Sequence, residues 1–121
     1  MAGEESKLKL NLEVRRVEDA TVVYCRGRLV YRDEVAALSQ MVAEARPCML
    51  VLELAGVNAI DSAGLGELMA VLQAVQARGG SLKLAAPTRR VKSLLQLTNL
   101  TSVLEVHSSL EEALHSWKQP A

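Results

Sequence analysis

Phenylalanine is absent from this chain of 121 residues, and Trp117, Tyr24 and Tyr31 are its only aromatic residues. Charge of one sign is not in excess either, because 14 basic residues balance 14 acidic ones. Nucleic-acid binding therefore lacks both its electrostatic footprint and its stacking platforms. No run of 18 apolar residues occurs, and the polar, acidic opening from Met1 to Lys7 has no signal-peptide core, so a cytoplasmic protein is expected. Cys25 and Cys48 each lie inside or beside an apolar run, and no close Cys/His cluster has metal-ligand spacing. Reduced, buried thiols are the expectation. His107 falls in a strand-like run and His115 in a surface helix, which argues against a shared metal site.

What is present suits one domain. Half of the residues are hydrophobic and 23% are charged, a balance that supports a single core. Residues 1–7 read as a frayed start, 8–117 as the domain and 118–121 as a short tail. No internal repeat or low-complexity segment interrupts them.

Leu8, Leu10, Leu12 and Val14 alternate with polar residues, which predicts a strand from Leu8 to Val17 with those four on its buried face. A turn at Glu18-Asp19 leads to a second strand, Thr21 to Cys25, ended by Gly27. Asp33 is placed to cap a helix whose Val35, Leu38, Met41 or Val42 and Ala45 face inward before Pro47. Met49 to Leu54 is almost continuously apolar, as a central strand covered on both faces would be. The next helix places Leu65, Leu68, Met69, Leu72 and Val75 in its buried stripe, and Gly79-Gly80 stops it.

Ser81 to Ala86 predicts another strand. Pro87-Thr88 opens a helix with Val91, Leu94 and Leu95 inward, and Asn99 suits its left-handed end. Val103 to Val106 is the last strand, and Ser109 with Glu112 forms a capping box for the last helix. The order β-β-α-β-α-β-α-β-α predicts an α/β fold, a mixed sheet of about five strands with about four helices.

Between the central strand and its helix runs Ile60-Asp61-Ser62-Ala63-Gly64-Leu65-Gly66. Ser62 stands where a hydroxyl would cap the helix, beside unpaired N–H groups and the positive end of the helix dipole. A phosphate is electrostatically welcome there. Ala63, Glu67, Ala70, Val71, Ala74 and Ala77 form the opposite, smooth face. Helix propensity accounts for such a face as well as a docking surface does, and composition alone leaves both open. Catalysis is not expected. A hydrolase elbow would need Gly where Ile60 stands, and Met69 takes the place of the third glycine of a dinucleotide loop. Asp61 and Glu67 read as solvated carboxylates, and no cofactor is implied.

The motif Asp61-Ser62-Ala63-Gly64-Leu65-Gly66 resembles the signature of STAS domains, in particular bacterial anti-sigma factor antagonists. The likeness extends over most of the chain. Gly27-Arg28-Leu29 is similar to the family's turn after the second strand, Leu50 to Leu54 to its central strand, and Gly79-Gly80-Ser81-Leu82-Lys83-Leu84 to its Gly-Gly turn and following strand. Leu97-Thr98-Asn99-Leu100 is similar to the family's Leu-Thr-Gly-Leu element. Two positions depart: Val30 stands where many antagonists carry Asp, and Ala63 replaces a second serine.

For antagonists the resemblance implies partner switching, in which the protein binds an anti-sigma factor that is also a serine kinase, with ATP bound by that partner. Phosphorylation of the matching serine, Ser62, releases the complex, and a phosphatase resets it. The partner surface implied is Asp61, Ser62, Ala63, Gly64, Gly66, Glu67, Ala70 and Ala74, with Asp61 positioning the hydroxyl or meeting the kinase. Alanine at position 63 also occurs in STAS subunits of bacterial phospholipid-trafficking ABC transporters, which implies the alternative of a binding subunit without phosphorylation.

Overall fold

The computed structural model describes residues 10–30 and 33–118, the side chains of 33–36 excepted. The expected strand residues Leu8 and Lys9, the side chains of Asp33 and Val35, residues 1–7 and most of the tail lie outside that range. Five strands, β1 (Asn11–Val17), β2 (Ala20–Leu29), β3 (Met49–Ile60), β4 (Ser81–Ala85) and β5 (Glu105–His107), form one sheet in sequential order. The helices are α1 (Asp33–Ala45), α2 (Ser62–Ala77), α3 (Arg89–Leu97) and α4 (Leu110–Ser116), with a 3-10 turn at Leu100–Ser102. This is the mixed α/β architecture that the element order predicts. β1 and β2 are an antiparallel hairpin, and every later pairing is parallel.

Parallel strands added in one direction by helical crossovers place those helices on one face. The alternation along the strands agrees. Val23, Cys25, Leu50, Leu52, Leu54, Leu82 and Leu84 join Leu38, Val42, Leu68, Val71, Val75, Val91 and Leu95 in the main core. Val22, Val51 and Ala85 point the other way, against Ala113, Leu110, Leu114 and Trp117 of the α4 region. The central strand β3 is thus covered on both faces, which explains its unbroken apolar run.

Several boundaries differ from the sequence reading. β2 does not stop at Gly27 but continues to Leu29, because Gly27, at φ 109°, accommodates a shift of register against β3. β3 likewise runs on past Leu54 to Ile60. The last strand is Glu105–His107 rather than Val103 to Val106, and Val103 is 51% exposed. Val14, expected inside, is 45% exposed, since β1 is the edge strand of the sheet. Ala45 is exposed at the end of α1.

Caps define the helix ends. Thr88 Oγ1 accepts from the Val91 N–H at 3.3 Å, and Asn99 takes the left-handed conformation, φ 62°. At α4 the Ser109 hydroxyl accepts from the Glu112 N–H at 3.0 Å, but the Glu112 carboxylate reaches past Ser109 to Ser108. The return half of the expected box has moved by one residue. Among the described residues no helix is long and apolar enough to cross a membrane.

Candidate functional site

β2 and β3 run side by side to the same end, where Leu29 is in register with Ile60. The chain then turns directly into α2. Asp61, not Ser62, is the N-cap: its φ of −119° and ψ of −172° are extended, and its Oδ1 accepts from the Gly64 N–H at 3.0 Å. Its carbonyl accepts the first helical bond, from the Leu65 N–H at 2.9 Å. The expected role of Ser62 is therefore corrected by one position. Adjacent Asp and Ser are both good caps, and the one whose backbone is extended takes the role.

Ser62 is instead the first residue inside the helix. Its side chain is exposed, and its hydroxyl has no hydrogen-bond partner among the described residues. Partly unsatisfied backbone N–H groups and the positive dipole end lie at this terminus, and no acidic residue occupies the first turn. The arrangement presents a hydroxyl to solvent at the positive end of the helix dipole, whose pull on added negative charge the neighbouring Asp61 carboxylate partly offsets.

The glycines of the motif have different causes. A Cβ on Gly64 would lie 2.0 Å from the Leu29 carbonyl oxygen, so this residue lets α2 start against the end of β2. A Cβ on Gly66 would meet nothing within 4 Å among the described residues. Gly66 is exposed in a helix, where glycine costs about 1 kcal/mol relative to alanine, and packing among the described residues does not require it.

The rest of the expected surface divides. Ala70 and Ala77 are exposed, and Ala63 and Ala74 are half-buried. Gly64, Glu67 and Val71 face inward instead. Glu67 is 9% exposed, and its Oε2 accepts from the Ser39 N–H of α1 at 2.6 Å. It joins two helices and is neither a solvated carboxylate nor part of the open face. Leu65 and Met69, expected in the buried stripe, are only half-buried.

The thiols also separate. Cys25 is fully buried, which pushes its pKa up to about 12, while Cys48 is exposed, contrary to expectation. Sequence reading also passed over Lys83, buried on β4 behind α4. Its Nζ donates to Glu105 Oε2 and Ser116 Oγ, both at 2.6 Å, and lies 4.7 Å from the Trp117 ring centre. A single Lys between leucines in a central strand was the available signal. His107 Nε2 is 2.6 Å from the same Glu105 oxygen. A separate cavity of about 450 Å³, lined by residues that include Pro87, Lys92, Leu104 and His107, opens beside β5, with no residue of the motif in its wall.

Comparison with known proteins bears out the fold. The STAS domain model matches residues 11–113, and the chain belongs to the STAS domain family. A candidate anti-sigma factor antagonist of Thermotoga neapolitana is 35% identical over 65 residues, 54% of this chain. The match spans only 58% of that relative's length. The crystal structure of the Thermotoga maritima counterpart superposes with a TM-score of 0.82 at 22% identity, covering 89% of this chain and 95% of its own. The anti-sigma-B factor antagonist of Bacillus subtilis is 27% identical over 110 residues, 86% of this chain and 96% of that protein. SpoIIAA shares the fold in its unphosphorylated form, at TM-score 0.66 and 16% identity, covering 91% of this chain and 100% of its own. Its phosphorylated form does so at TM-score 0.63 and 17% identity, covering 88% and 98%.

Proposed function

We propose that this protein is an anti-sigma factor antagonist that works by partner switching in the cytoplasm. Unmodified, it binds an anti-sigma factor that is also a serine kinase and holds the ATP, and so frees a sigma factor for transcription. Phosphorylation of Ser62 ends the complex, and a phosphatase restores it. The domain itself needs no cofactor and performs no catalysis.

The observation that carries this reading is the exposed Ser62 hydroxyl at the start of α2, with the capping role held by Asp61. A serine needed only as a cap would have its oxygen on a backbone N–H. The open backbone at Gly66, one turn along from Ser62, and the small side chain of Ala70 give a partner close access to the helix. Ser62, Ala63, Gly66, Ala70 and Ala74 are the proposed contacts, with Asp61 holding the helix start; Gly64 and Glu67 support that surface from inside. A phosphate adds about −1.5 to −2 charges, which the helix terminus accepts and a dry interface does not.

The test is a pull-down from lysate of the native host with wild type, Ser62→Ala and Ser62→Asp as baits, read by mass spectrometry. Wild type and Ser62→Ala should retain an ATP-binding serine kinase that Ser62→Asp loses. Equal retention of transporter subunits by all three would instead support a STAS binding subunit of a phospholipid-trafficking ABC transporter, for which Ala63 is suited.

A further inference from the structure

The outer face of α3 carries charge in an unfavourable place. Arg89 and Arg90 occupy the first turn, at the positive end of the helix dipole, and no acidic residue shares that turn. Cations there oppose helix formation. Both are exposed, and neither has an ion-pair partner among the described residues. Leu97, two turns along from Arg90, is 82% exposed. Arg89, Arg90, Ser93, Leu94 and Leu97 line one open groove, whose floor includes Ile60. Ile60 is the last residue of β3 and precedes Asp61-Ser62 directly.

Folding explains neither the cations nor the leucine. Val91 and Leu95 already bury the inner side of α3, so Arg90, Ser93 and Leu97, three to four residues apart, form a separate outer stripe. In a chain of zero net charge, two arginines without an ion-pair partner among the described residues, beside an exposed leucine, make a local, directional feature.

We propose that this groove docks a segment of the partner protein in which acidic side chains flank an apolar one. The carboxylates pair with Arg89 and Arg90, and the apolar side chain packs on Leu97, Leu94 and Ile60. Because Ile60 joins the groove to the motif, the segment lies next to Ser62, and the two surfaces are engaged together. This inference rests on the partner-switching reading for the identity of the partner, but the chemistry of the groove does not depend on it. Two arginines are fewer than the basic clusters that hold proteins on anionic lipid, so a protein segment is the better occupant.

Two arms test it. In the first, the ¹⁵N-labelled protein is titrated with an acidic peptide of repeating Glu-Glu-Leu-Leu, with a Lys-Lys-Leu-Leu control, and with phosphatidylserine vesicles. The acidic peptide should shift the amides of Ile60, Arg89, Arg90, Ser93 and Leu97, less so at high salt, and the Arg89→Glu/Arg90→Glu double variant should abolish the shifts. Shifts elsewhere, no shifts, or binding of the vesicles instead overturns the proposal.

In the second arm, the serine kinase captured by wild type is purified and its Kd is measured for each variant. Arg89→Glu/Arg90→Glu and Leu97→Ser should each weaken binding at least about tenfold, as expected for anchor positions. An unchanged Kd overturns the proposal. If wild type captures no kinase, the Ser62 reading has failed and the peptide arm alone decides. Acidic residues suit the first turn of α3, so the double variant should melt at the same or a higher temperature. Loss of binding therefore cannot be taken for loss of fold.

Discussion

Asp61 and Ser62 are neighbours in different settings, one capping the helix and the other exposed, and their substitutions should separate cleanly. Asp61 Oδ1 satisfies the Gly64 N–H, so Asp61→Ala should cost about 1 kcal/mol, the usual value of a lost N-cap. Ser62 makes no described hydrogen bond and is exposed, so Ser62→Ala should stay within about 0.5 kcal/mol of wild type. Urea denaturation measures both, and the reverse order would return the cap to Ser62. The sequence located this helix start to within one residue but not the division of labour. Asp and Ser are equally acceptable caps as residue types, and only the backbone angles tell them apart. Gly64 and Gly66 were equally opaque: one is forced by the Leu29 carbonyl, the other by nothing among the described residues.

At the level of elements, the order and type of strands and helices were legible because each strand's pattern follows its cover. The continuous run of β3 marked two-sided burial, and the alternation of β1 marked a strand covered on one face, although not that its position at the sheet edge leaves Val14 exposed. The face of α2 was harder to read. This helix packs on the sheet and also on α1, so its buried arc extends to Glu67 and Val71, wider than a single stripe. A helix apolar over most of its circumference leaves the stripe ambiguous, and a buried Glu is visible only once α1 is in place. The layer of β4, β5 and α4 gives a pH prediction. Burial raises the Glu105 pKa, but hydrogen bonds and attraction from Lys83 and His107 outweigh it and hold the group below its ordinary 4.5. A depressed carboxylate contributes stability that is present above 4.5 and is lost as pH falls through the lower, folded value. Glu105 is half exposed, so solvent screening keeps the contribution small. Glu105→Gln should lower stability at neutral pH and flatten the acid limb below 4.5, as read by urea denaturation across that range. An acid limb as steep as that of wild type would place the titration elsewhere.

Across the whole molecule, the position of Ser62 determines what a phosphate can change. The main core lies between the sheet and α1, α2 and α3, a second cluster lies under α4, and Ser62 is outside both. Its modification breaks no described hydrogen bond and buries no charge, and the positive end of α2 offsets part of the repulsion between the added anion and the Asp61 carboxylate. Nothing in the packing therefore couples the phosphate to the sheet, whose side chains are already interlocked with three helices on one face. In the proposed switch, release of a partner then comes from the surface itself, where an anion of about −2 would meet the proposed contact over Gly66 and Ala70. The expected result is that phosphorylated protein keeps the wild-type backbone. Amide chemical-shift changes should be confined to Asp61–Gly66 and the neighbouring ends of β2 and β3, with far-ultraviolet circular dichroism unaltered. Broad shifts through β4 and β5 would show that the phosphate acts by rearranging the fold, and a switch confined to the surface would then have to be abandoned.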